Sequence, residues 1–231
     1  VNNIWARRIG AATGAAYILI GLLRGSGDNV PAFHASRASI ATWMRNSAAP
    51  TPGQYAMGLL ELLGLFFFLV FVTYLSTVLR RHEGESGYLS SVVLAAGITS
   101  VAIKIASLPG FVAVHVWAKD GVDPRVIGMV LDMNSVAFDL SVATLAVMVT
   151  AAAAVAIPTR ALPAWLGWGT ALTAAALVAG TVFAFATPDF SPAMLVFMLW
   201  TIVTSVVLVL NASDVTAPAK ATAVREALLA R

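Results

Sequence analysis

The chain has 231 residues, of which 59% are hydrophobic and 11% charged, with a net charge of +3 and no cysteine. A soluble domain carries roughly 25% charged residues, so this chain lacks the polar surface to cover itself in water, and lipid must cover the rest. The missing thiols exclude a disulfide framework, thiolate metal ligands and a Cys nucleophile, and basic residues gathered at segment ends rather than along one face argue against nucleic acid as a partner.

Six apolar segments, most of them about 20 residues or longer, use nearly the whole length, which predicts an all-α polytopic transmembrane bundle over residues 1–210. The first span runs from about Ile9 to Leu23, with Arg7 and Arg8 before it, Arg24 after it and Trp5 able to extend it through the interface. The run Ala11-Ala12-Thr13-Gly14-Ala15-Ala16 is rich in small residues and no small-residue cleavage site follows, so a retained helix is expected rather than a signal peptide. Gly10, Gly14 and Gly21 suit close helix packing, the first two at GxxxG spacing.

Residues 25–54 then form a long loop, with a short helix expected at Ser36–Arg45. Ile40, Trp43 and Met44 would lie on its interfacial side, and Arg37, Thr42 and Arg45 would face water. The loop is expected to pack over the end of the bundle with Trp43 buried against lipid or protein. A loop this long among tight ones often carries function.

The second span covers about Tyr55 to Leu79 and holds Glu61. The third covers Tyr88 to Trp117, with Lys104, His115 and a Pro109-Gly110 pair that predicts a kink. The fourth covers Val126 to Ile157, with Asp132, Asn134 and Asp139. The fifth runs from Trp165 to Ala186 and the sixth from Pro192 to Leu210, leaving residues 211–231 as a tail.

Orientation follows from the basic residues. With the N-terminus cytoplasmic, the inner segments hold Arg7, Arg8, Arg80, Arg81, Arg160, Lys220, Arg225 and Arg231, against Arg24, Arg37, Arg45, Lys119 and Arg125 outside. Eight against five favours both termini inside.

Ionisable groups inside a membrane are functional candidates, because each costs about 2.5–3.5 kcal/mol to bury at the helix centre on insertion scales. At 1.5 Å rise per residue, Lys104 and Asp139 both fall within roughly 3 Å of the midplane and are expected to pair. Lys104 and His115 share one helical stripe and Asp132 and Asp139 another, so the two faces would meet in a polar path: His115 and Asp132 outermost, Glu61 next, Lys104 with Asp139 deepest, and Asn134 alongside. The same pair equally fits a structural lock between two helices. A second candidate site in the outer loop combines Asp28, His34, Arg37 and Arg45, groups suited to a headgroup.

Other chemistry has little support. No HExxH, GxSxG, Walker or dinucleotide-binding sequence is present, and three scattered histidines form no metal or haem pattern, so no metal, cofactor or catalytic residue is expected. The polar residues of spans two to four have no counterpart in spans five and six, which argues against an inverted-repeat transporter.

The stretch Ala161-Leu162-Pro163-Ala164-Trp165-Leu166-Gly167-Trp168, where proline opens a helix and two tryptophans anchor it, resembles the LPxWLGW-type entry of poorly characterised six-helix membrane proteins of bacteria. The Leu79-Arg80-Arg81 exit from the second span is similar too. The resemblance implies a multi-pass protein of the bacterial plasma membrane and supplies no catalytic residues. The leading expectation is a small transport or ligand-binding protein with a polar cavity among spans two to four. The alternatives are a non-catalytic accessory subunit, with a membrane-protein partner or self-association, and an enzyme acting on a lipid or headgroup.

Overall fold

The computed structural model describes residues 4–24, 30–46, 52–184 and 192–212, and the regular elements within them are helices. They are α1 (Ile4–Arg24), α2 (Arg37–Asn46), α3 (Pro52–Glu83), α4 (Tyr88–Trp117), α5 (Pro124–Thr159), α6 (Ala164–Ala184) and α7 (Pro192–Leu210). All except α2 are long and apolar enough to cross a membrane, giving six spans.

Local chemistry sets the helix ends. Asp123 caps α5, its carboxylate accepting the Arg125 N–H at 2.8 Å, with Pro124 in the first turn where no N–H is needed. At the α3–α4 turn the cap comes from the preceding helix: the Glu83 carboxylate accepts the Leu89 N–H at 2.7 Å, the Ser90 N–H at 2.8 Å and the Ser90 hydroxyl. Gly87 stands between them at φ 51°, a left-handed turn that strains most side chains. Pro163 opens α6 by accepting the N–H groups of Leu166 and Gly167, and Trp165 and Trp168 project outward at that entry.

The spans close into a ring: α1 packs on α3 and α7, α3 on α4, α4 on α5, α5 on α6 and α6 on α7, with α3 also touching α5. With no hydrophobic force between helices in lipid, close packing must hold this ring together. Gly14 is the tightest point, since a Cβ there would overlap both Ser205 of α7 and Phe71 of α3. Gly10 sits against Tyr74, as its spacing with Gly14 suggests, whereas Gly21 meets nothing. An aromatic chain runs through the main core, from Tyr17 to Phe68 at 4.9 Å, on to Phe197 at 6.0 Å and to Trp200 at 5.8 Å. The Trp200 indole donates to the Thr170 hydroxyl at 2.9 Å, satisfying a buried N–H.

α4 continues through Pro109 as one helix, with the proline on an exposed face, so the expected weak point does not break the helix. α5, at 36 residues, is about 54 Å long against roughly 40–45 Å for a whole bilayer, so it must tilt or protrude.

A second, smaller core lies at the far end, where α4 stops and α5 starts. Ile40 of α2 is buried there with Val114, Ala118, Ile127 and Leu131, flanked by Trp43 and Met44. The apolar side of α2 therefore faces protein.

Candidate functional site

The segment Phe33–Arg37 and the start of α2 cross the outer face of α5. Gly128 makes the crossing close: the Ile40 Cδ1 lies 2.6 Å from where a Gly128 Cβ would be, so any side chain there would push Ile40 aside.

One turn further along α5, Asp132 meets His34 through both of its oxygens. The His34 backbone N–H donates to Oδ1 at 2.9 Å and ring Nδ1 stands 3.2 Å from Oδ2. His34 adopts φ 57°, a left-handed conformation that histidine tolerates better than most residues, and its ring stacks on Phe33 with centroids 3.9 Å apart. Arg37 reaches back towards Asp123, with Nη2 3.5 Å from Oδ2. Ion pair, hydrogen bonds and apolar plug together clasp residues 33–46 to the α4–α5 hairpin.

Beneath the clasp is an open groove of about 740 Å³. His34, Arg37, Arg125 and Asp132 line its outer end. Met129, Met133, Val136 and Leu140 of α5, with Ile103 of α4, line the rest. These α5 residues recur at intervals of three and four, so they form one stripe along the helix. From Met129 to Leu140 the stripe rises about 16 Å, close to the roughly 15 Å of hydrocarbon in one leaflet. The groove is thus charged towards one end, mainly apolar along the α5 stripe, and open on one side.

The sequence-predicted site residues divide into separate places. Of the outer-loop set, His34 and Arg37 meet in the groove, Arg45 bonds instead to its own helix through Thr42 at 3.1 Å, and Asp28 lies outside the described residues. Asp132 joins His34 and not His115, contrary to the expected path. His115 bonds its ring Nδ1 to the Phe111 carbonyl at 2.9 Å and packs edge-on against Trp43 at 5.4 Å, so α2 covers the place where a polar entrance was expected. The Lys104 ammonium sits 4.0 Å from the centre of the Phe138 ring on α5, next in sequence to the half-buried Asp139. Asn134 lies one helical turn from Phe138 on that same α4-facing side, and Ser107 and Ser135 turn their hydroxyls back to the carbonyls of Lys104 and Leu131. Glu61 lies on α3, three residues before Gly64, which faces Tyr17 and Ile20 of α1. No cluster of three or more His, Asp or Glu residues able to hold a metal occurs among the described residues.

The groove itself was not anticipated from sequence, because His34 and Asp132 are 98 positions apart. The one available signal was the spacing of Met129, Met133, Val136 and Leu140 around Asp132, which marks an apolar stripe with a carboxylate between its first two members. Comparison with protein-family models, curated proteins and solved structures finds no match to this chain.

Proposed function

We propose that this chain is a small ligand-binding membrane protein whose site is the lateral groove between the clasped outer-loop segment and α5, and whose ligand is an amphiphile entering from the bilayer. The observation that carries this reading is the division of one groove into a polar mouth and an apolar stripe as long as a leaflet is deep. Its volume of about 740 Å³ falls within the roughly 300–1,000 Å³ usual for small-molecule sites. Such a groove suits a molecule with its head at the interface and its chain along Met129, Met133 and Val136.

A transport step is a second reading, supported by Lys104 and Asn134 on the α4–α5 seam and by Asp139 beside it. Polar groups at that depth are costly to keep without use. The count of eight basic residues against five in the alternating connecting and terminal segments supports cytoplasmic termini with α2 outside, and the LPxWLGW-type entry at Leu162–Trp168 supports a bacterial plasma membrane.

The test is photo-crosslinking of the full chain in vesicles containing lipids with photoactivatable acyl chains. Labelling should concentrate on the α5 stripe, above the level on the equally lipid-facing Leu172 and Val178 of α6. Val136→Trp, which fills the stripe, should abolish the excess. Equal labelling of α5 and α6 in the unaltered protein would refute the reading.

A further inference from the structure

The charged groups at the mouth of the groove differ in how fully they are paired. Each Asp132 oxygen faces one nitrogen of His34. Asp123 accepts the Arg125 backbone N–H through Oδ1 and faces Arg37 through Oδ2. The carboxylates thus each face a protein partner through both oxygens, and the charged groups less fully engaged are the guanidinium groups of Arg37 and Arg125.

Arg125 lines the mouth, and its guanidinium has no carboxylate within pairing distance among the described residues. Arg37 is held by a single contact at 3.5 Å, long beside the roughly 2.7–2.9 Å of a charge-assisted hydrogen bond, so most of its fork remains available. With the His34 Nδ1 directed at Asp132, its Nε2 is left for a ligand, accepting from a hydroxyl when the ring is neutral and donating when it is charged. Two planar forks match the geometry of phosphate oxygens better than that of any neutral headgroup.

Resting on the amphiphile reading of the same groove, we infer that its occupant is a membrane lipid with an anionic phosphate-containing headgroup, held by Arg37 and Arg125 at the α5 entrance while one acyl chain lies along the α5 stripe. The apolar stripe favours a lipid over free phosphate. A soluble anion would use the mouth alone and gain nothing from the roughly 16 Å of apolar stripe between Met129 and Leu140. The open side of the groove admits a lipid by lateral diffusion, with no need to leave the bilayer.

The experiment compares photoactivatable phosphatidylglycerol with photoactivatable phosphatidylcholine, each at trace level in phosphatidylcholine vesicles holding the full chain. The readout is labelling of α5 relative to α6. Phosphatidylglycerol should label the groove about tenfold more than phosphatidylcholine, as expected for charge-assisted bonds that a zwitterionic head shields. Arg125→Gln should remove that preference and Arg125→Lys should keep part of it. Neither change touches a bond of the clasp seen here, so folding is not the variable. Equal labelling by the two lipids, with α5 still above α6, would overturn the headgroup assignment and leave the amphiphile reading standing. Labelling of α5 no higher than α6 by either lipid would overturn both. Full displacement of phosphatidylglycerol by inorganic phosphate, with the same dependence on Arg125, would make this a soluble-anion site and overturn the lipid assignment.

Discussion

Replacing Ile40 by alanine tests whether α2 is held to the bundle by its apolar plug or by its polar contacts. Ile40 is 5% exposed, packed on Val114, Ala118, Ile127 and Leu131 and seated over Gly128. Such truncations in well-packed cores cost roughly 2–5 kcal/mol. This small cluster at the end of the bundle can relax, so the lower end applies, about 2 kcal/mol, equivalent to a roughly 30-fold increase in the open population. The Arg37–Asp123 pair is half-exposed, with side chains 59% and 49% accessible, and surface pairs contribute about 0–1 kcal/mol. Arg37→Ala should therefore raise opening by about fivefold at most. The chain has no cysteine, so Ala118→Cys, at a position 9% exposed within the small core, gives a unique reporter. Its thiol should react with a maleimide about 30-fold faster in the Ile40→Ala background and at most fivefold faster with Arg37→Ala. Leu22→Ala, a change on an outward-facing residue, should have no effect. Equal rates with and without Ile40, or a larger effect from Arg37, would show that the clasp is electrostatic and refute the packing argument.

Glu83→Ala should lower the thermal stability of the purified protein by an amount equivalent to about 1–2 kcal/mol, since the first N–H groups of α4 lose their acceptor. Unchanged melting would mean water replaces the carboxylate at no cost. An impermeant thiol reagent on intact cells should label Arg37→Cys and not Arg81→Cys, and the reverse pattern would invert the topology. For Lys104 and Asp139, the combined change Lys104→Met with Asp139→Asn should destabilise less than the sum of the single changes, by 1 kcal/mol or more, if the two are paired. Simple additivity in chemical denaturation would remove that pairing. Gly14→Leu should prevent assembly of the native bundle, as Ser205 and Phe71 occupy the space beside Gly14; normal folding would contradict the observed packing.

Composition and hydropathy alone determined the class of this protein and its six spans, because a bilayer requires every backbone group to be satisfied within the spanning segment and so permits only long apolar helices or closed barrels. The short helix in the outer loop was also legible, since Ile40, Trp43 and Met44 fall on one side of a helical wheel. Rotation and docking were not. Spacing says which residues share a face, but not which neighbour that face meets, so Asp132 was matched to His115 by depth when the backbone of residues 33–37 delivers His34 to it instead. What decided this was the missing side chain at Gly128, which lets Ile40 seat on α5 and brings the loop down over the carboxylate. The groove exists only because two segments far apart in sequence are clasped together, and tertiary packing alone could set that distance.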